Sequence, residues 1–329
     1  MVLSAAADGR EAEQGWFAGQ VGLRLRESPG PDWRGLVADG GGVRAVALDS
    51  WLTLPGEIAL ACGGAPVVAE VERARTAGLR LLWLATGDEL ATPGLLEAWL
   101  AVGLDALHLW VHASSSPAHD FHAGVVGRFV VITAAIEKAR GAGVVVAVSS
   151  LLTRSSAPVM AGLPAWLGGL GVAAWRVAAI ETEGRLLRRS GVGPHDGLVP
   201  SLAASLPHAL QAMSRAARLG LPAFLSGAPA CLLGPFAGAA LPERGRAFAA
   251  VCAGCPARAG CCGVPVDYLE RFGGDELSAA NLRAGAAAVV GPRWMFVGTG
   301  SIEQVETDRA RETGAKRQVR LPVVTGDDG

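Results

Sequence analysis

Short apolar runs alternate with longer mixed stretches along most of this chain, and several of the mixed stretches stop at a glycine. The runs at 57–62, 79–86, 105–113, 143–153, 173–181 and 221–226 read as strands, and 67–77, 93–102, 129–142, 158–170 and 206–219 read as helices. Gly78, Gly103, Gly143 and Gly220 stand where a left-handed cap would end a helix before the next strand. Strands apolar on both faces and spaced by helices imply a parallel sheet covered by helices. That leaves a full or partial barrel, or an open doubly wound sheet. No Walker-type phosphate loop occurs, and no G-x-G-x-x-G follows the first strand, so a barrel is the stronger reading.

The second constraint is the cysteine distribution. Six cysteines occur in 329 residues, and five of them lie between positions 231 and 262. Cys231, Cys252, Cys255 and Cys261 read C-x20-C-x2-C-x5-C, with glycines and prolines around them that suit a loop. A C-x2-C pair brings two thiolates to one ion or cluster, and the flanking cysteines can complete a four-sulfur cage. Three readings compete: an iron-sulfur cluster, a structural zinc, and buried thiols. Zinc ribbons usually carry two C-x2-C knuckles where this chain has one, which favours the cluster. Cys262 is read as a spare beside Cys261, and Cys62 as a small buried residue at a strand end.

A net charge of −1 with acidic and basic residues evenly mixed leaves no basic stripe, so nucleic acid is not an indicated partner. Apolar runs such as 144–148 are far short of a membrane span, so no membrane partner is expected. The opening residues lack the basic and apolar regions of a signal peptide, and a reducing, cytoplasmic location is expected. In the strand around 108, alternation places His108, Trp110 and His112 on one face, toward the barrel interior, opposite Leu107, Leu109 and Val111. These histidines read either as ligands or as hydrogen-bonded lumen side chains. His119, Asp120 and His122 follow in a stretch read as a loop, with an Asp–His contact or helix capping as the plainer reading.

Several segments together resemble the radical S-adenosylmethionine (radical SAM) superfamily. They are CGGAP at 62–66, ATGDEL at 85–90, GLDALHLWVHA at 103–113, HDFHAGVVGRF at 119–129, VAVSSLLTRSS at 146–156, and CAGCPARAGCCG followed by Tyr268. Apart from VAVSSLLTRSS, they match, in order, that family's GGEP motif, TNG turn, HG-ending strand, HD...G..GSF segment and C-terminal extension for an auxiliary 4Fe-4S cluster (SPASM/twitch-like). The resemblance spans about residues 20–275 and implies a partial (β/α)6 TIM-like barrel with a cysteine-rich iron-sulfur extension. It implies Gly63, Gly64 and Pro66 as remnants of a cofactor-binding motif, and Cys231, Cys252, Cys255 and Cys261 as ligands of one auxiliary cluster. The implied division is 1–19 as a flexible terminus, 20–228 as the barrel, 229–275 as the extension, and 276–329 as a C-terminal segment with a charged tail.

The chain departs from that family where its chemistry begins. Active members hold their first cluster with C-x3-C-x2-C; that spacing falls here on Ser28, Asp32 and Gly35, and no cysteine precedes Cys62. Those side chains do not replace thiolates on an iron-sulfur cluster. The acidic residue of GGEP, which meets the amino group of S-adenosylmethionine, is Ala65, and bulky Trp110 stands where the family commonly has a small residue. The resemblance therefore implies a degenerate member that kept its auxiliary cluster and does not bind or cleave S-adenosylmethionine. Such a chain would serve a radical SAM peptide-modifying system by binding a peptide or an active radical SAM partner across the barrel mouth. The alternatives are an active radical SAM enzyme, another metal-dependent barrel using His108, His112 and Asp120, and a zinc-stapled scaffold.

Overall fold

Six strands in sequence order form one parallel sheet, with a further strand added antiparallel at the edge. The computed structural model describes residues 51–54, 58–62, 65–76, 78–85, 87–179, 199–241, 247–264, 266–280, 289 and 291–296. Gly63 and Gly64, the Ser28/Asp32/Gly35 positions, the 1–19 terminus and the tail from 301 lie outside the described residues. The strands are β1 (Trp51–Leu54), β2 (Ile58–Cys62), β3 (Arg80–Leu84), β4 (Ala106–Trp110), β5 (Val145–Leu152), β6 (Ala174–Ala179) and β7 (Ala223–Ser226). Their spatial order is β1 through β7 without interruption; β1 pairs antiparallel with β2, and every later pair is parallel. A doubly wound sheet would reverse strand order at a switch point. Here the order never reverses, and right-handed crossovers then place the connecting helices on one face. The fold is α/β, a partial six-unit barrel.

The helices are α1 (Val68–Thr76), α2 (Gly87–Leu90), α3 (Leu95–Ala101), α4 (Ser116–Ala123), α5 (Arg128–Gly141), α6 (Leu163–Gly169), α7 (Leu202–Arg218), α8 (Ala230–Leu233) and α9 (Val266–Phe272). Gly103 and Gly143 take φ of 80° and 82°, the left-handed turn that lets a helix end and the next strand begin. α7 begins at Leu202 rather than near 206, with Ser201 accepting from the Ala204 amide, and it carries Pro207 inside. β1 was not expected from the sequence.

Strand alternation divides the buried residues into two layers. Leu81, Trp83, Leu107, Leu109, Val146, Val148, Trp175 and Val177 face the helices and join the main core with Trp99, Ile136 and Met213. Trp83 and Trp99 stack with ring centroids 5.4 Å apart. Burying each such aliphatic side chain contributes about 1.5–3 kcal/mol. The opposite, concave face follows from the register. One row across the sheet is Leu84, His108, Ala147 and Ala174; the next is Trp110, Ser149, Arg176 and Phe224.

Beyond β7 the chain builds the cysteine-rich extension. Ala240 bridges Leu225 in parallel and the Leu241 amide donates to the Leu225 carbonyl at 2.8 Å, continuing the barrel by one short contact. Ala247 and Val264 then exchange both backbone hydrogen bonds, at 2.7 and 3.0 Å, and close the base of the 247–264 loop. α9 returns to the barrel through Tyr268, whose hydroxyl accepts from the Leu202 amide and donates to Glu276. The other Glu276 oxygen accepts from the Ala203 amide at 2.7 Å. Three first-turn amides of α7 are thus satisfied by Ser201, Tyr268 and Glu276, with a carboxylate at the positive helix end. Tyr268→Phe leaves the Leu202 amide without its acceptor. We expect a loss of about 1–3 kcal/mol, read as a lower urea midpoint at unchanged slope.

Candidate functional site

Successive turns of three place the loop cysteines on one side. The Cys252 amide donates to Ala249, Cys255 to Cys252, Arg258 to Cys255, and Cys261 to Arg258, each a backbone bond three residues back at 2.9–3.3 Å. These turns share corner residues without forming one continuous helix: 3-10 structure covers 250–254 and 258–260, and Cys255 and Cys261 are extended, with ψ of 123° and 136°. Cys252, Cys255, Arg258 and Cys261, the corners of these turns, all line one hollow. Cys231, at the start of α8, faces them from the other side, and Leu277, Ser278 and Ala280 complete the wall. The hollow holds about 340 Å³ of space free of protein atoms, part of it open solvent. Part of its wall thus comes from residues beyond 275, past the expected end of the extension.

Backbone amides aim at the sulfurs. Cys261 Sγ accepts from the Ala230 and Gly263 amides at 3.5 and 3.4 Å, and Cys255 Sγ from the Ala280 amide at 3.2 Å. The Cys262 thiol, with the Gly263 and Ala230 amides acting against burial, brings the Cys261 thiol down to about 5. It is a thiolate at neutral pH, the form that ligates metal. Burial, joined by the neighbouring Cys261 and Cys252, pushes the Cys231 thiol up against the Ser278 amide. Cys262 is buried away from the hollow, its sulfur 3.1 Å from the Ala228 carbonyl and 3.3 Å from that of Gly263. Among the described residues no three His, Cys, Asp or Glu side chains form a group that would hold a single metal ion.

The histidines fall into two groups, His108 by itself and His112 with His119 and His122. β4 ends at Trp110, though the Val111 amide still donates to the Ser149 carbonyl at 2.9 Å and Val111 joins Leu107 and Leu109 in the core. His108 stays on the concave face, its Nε2 2.7 Å from Ser149 Oγ, which also accepts from Arg176 Nε at 2.8 Å. His112 instead stacks on His119, with centroids 5.5 Å apart, and meets His122 edge-on at 5.9 Å. The stretch read as a loop is helix α4. The His112 amide donates to His119 Nδ1 at 3.2 Å, which puts the proton of the neutral ring on Nε2. Burial, with the adjoining histidines, holds His112 well below the usual histidine range; burial first also brings His119 and His122 to about 4.

Asp120 caps rather than ligates. Oδ1 accepts from the Phe129 amide at 2.7 Å, and Oδ2 from the Gly127 amide at 2.7 Å and Ser116 Oγ at 3.0 Å. Burial alone would raise this carboxyl, yet those amides and the hydroxyl hold it below its ordinary value. It thus supplies the cap that Gly127, lacking a side chain, cannot give α5. Arg128 reaches back to the Gly87 carbonyl and the Asp88 carboxylate, tying α5 to α2. The HDFHAGVVGRF segment is accordingly a clasp between connections of the barrel. Asp120→Ala is expected to cost about 1–3 kcal/mol, with Asp120→Asn recovering part of it in the same urea titration.

Of the expected cofactor remnant only Pro66 is described, half-buried just before α1. One feature of the concave face had no local sequence signal. The 3-10 turn Arg293–Phe296 lies on it, with Met295 and Phe296 buried. The Phe296 ring meets His108 edge-on at 5.8 Å and Phe224 at 5.7 Å, and the Arg176 guanidinium lies 5.6 Å from its centroid. The groove expected on this face is occupied there by the chain itself.

No helix among the described residues is long and apolar enough to cross a membrane. No protein-family model matches the chain, and no curated protein matches it. A crystal structure of the HMG-CoA lyase from Brucella melitensis is similar at 16% identity and a TM-score of 0.28, over 50% of this chain and 62% of that one. The chain spans less than two thirds of that enzyme's length.

Proposed function

We propose that this chain is an iron-sulfur protein of the radical SAM type, catalytically degenerate, serving as a peptide-binding or partner subunit of a peptide-modifying system. The observation that carries the reading is the hollow lined by Cys231, Cys252, Cys255 and Cys261, with backbone amides directed at its sulfurs. Amide–sulfur hydrogen bonds of this kind tune and stabilise iron-sulfur clusters. A zinc ion needs four donors about 2 Å from one point, whereas a four-iron cluster is held at its corners by sulfurs standing further apart. Four thiols lining one hollow, with backbone amides on two of their sulfurs, favour the cluster, which would supply either a structural staple or an electron relay.

The degenerate part of the reading rests on sequence: Ser28, Asp32 and Gly35 where three thiolates would stand, and Ala65 where an acid would meet the cofactor amine. Anaerobic purification followed by iron and sulfide analysis is expected to give about four irons per chain. About eight would restore a radical enzyme, and stoichiometric zinc without iron would overturn the cluster. Under strong reductant the same sample should form no 5'-deoxyadenosine from S-adenosylmethionine above a buffer control. Product above that control removes the degenerate assignment.

A further inference from the structure

We infer that the concave face of the barrel carries a subsite for an aromatic side chain of a peptide, and that the chain fills this subsite in cis with Phe296. The subsite is built from the sheet register. Arg176 lies between Ser149 and Phe224 in one inward row, and His108 stands in the row beside it. Ala147 and Ala174 continue the His108 row, and their short side chains leave room above the sheet for a ring. Arg176 is fixed by its hydrogen bond to Ser149 and by Trp110, whose ring lies 5.2 Å from the guanidinium carbon. A ring placed here meets a cation on its π-system, an imidazole edge-on and a second aromatic ring, each of which favours an aromatic over an aliphatic occupant.

Phe296 shows the fit and how the occupant is held. It is 4% exposed, and Met295 beside it is fully buried. Gly291 sets the approach: a Cβ there would lie 2.6 Å from Pro222 Cβ and 3.2 Å from Phe224 Cζ, so only glycine lets the backbone pass this close. The segment adds no strand to the sheet, whose pairing runs from β1 to β7 without it. The Met295 amide bonds within the segment, to the Pro292 carbonyl at 3.1 Å. Side-chain burial therefore holds it, and a competing aromatic residue supplied in trans can take its place without breaking a β-ladder. This deepens the peptide-binding half of the function proposed above and does not depend on the cluster.

The test compares the wild-type chain with Phe296→Ala by calorimetry. The probes are a synthetic decapeptide of residues 291–300, the same peptide with Phe296→Ala, and one with cyclohexylalanine at that position. A tethered occupant acts as a competitor at high effective concentration, so the native peptide should bind the variant at least about tenfold more tightly than the wild type. The alanine peptide should not bind, and the cyclohexyl peptide should bind about threefold or more weakly than the native one. Native peptide that fails to bind the variant, or alanine peptide that binds as well, overturns the subsite. If Phe296→Ala is not recovered folded, Phe296→Leu with the same three peptides is read by the same criteria. Iron measured in the same samples keeps the failures apart: iron without peptide binding removes the subsite alone, and peptide binding without iron removes the cluster alone.

Discussion

Replacing Cys255 by serine should abolish most of the broad visible absorption of anaerobically purified protein and lower its Tm by about 5–10 °C. Cys255 lines one hollow with Cys252 and Cys261, and its sulfur accepts from the Ala280 amide. Serine is a poor ligand for iron-sulfur clusters, and ligation free energy in such loops is folding free energy. The temperature shift corresponds to about 2–3 kcal/mol at about 2–4 °C per kcal/mol for a domain of this size. Cys262→Ser, whose hydroxyl can still donate to the Cys261 sulfur and whose side chain lies by the Ala228 carbonyl, should keep the colour. Colour that survives in Cys255→Ser and vanishes in Cys262→Ser would reverse the ligand assignment.

Acidification should destabilise the barrel well above the pH at which its carboxylates protonate. His119 and His122 titrate at about 4 in the fold, against 6.5 for the free side chain, and burial holds His108 and His112 lower as well. Above pH 6.5 folded and unfolded chains are both neutral at these rings, and no stability depends on them. Between 6.5 and 4 the unfolded chain binds more protons, so stability falls as pH falls, by about 1.4 kcal/mol per pH unit for each titrating histidine. Urea midpoints across this window should therefore drop steeply. His119→Asn, whose amide oxygen can still accept from the His112 amide, should flatten the slope by about one histidine's share. Comparing the two chains at each pH cancels any common loss of cluster in acid. Equal slopes would show that His119 does not titrate as a buried neutral ring.

The fold was legible where the signal is local. Six apolar runs became β2 to β7, because a parallel strand under helices must be apolar on both faces, and glycine stops such as Gly103 and Gly143 sit at left-handed turns. Alternation set His108, Trp110 and His112 apart from Leu107, Leu109 and Val111 but named no partner for His112. The histidine stack then forms between the end of one strand and helix α4. Asp120 was open to a capping role from its place before a helix, yet its bond to Phe129 spans nine residues and has no local motif. In the cysteine loop the four thiols could be named from composition, but Arg258 could not. Its signal was there in the spacing: 252, 255, 258 and 261 differ by three, the period of the turns that carry them. Phe296 lies almost two hundred positions from His108, and nothing near either residue announces that they touch.

That run of turns also restricts how the loop can change length. Each of Cys255 and Arg258 is a corner at which one turn ends and the next begins, so the place of each later thiol is set by the backbone bond before it. The Ala247–Val264 clasp fixes both ends of the loop, so a residue added between Cys255 and Cys261 cannot be absorbed by sliding. It must break a corner bond and carry the last thiol off its place in the hollow. Changes of length are therefore expected outside this clasp rather than between its cysteines.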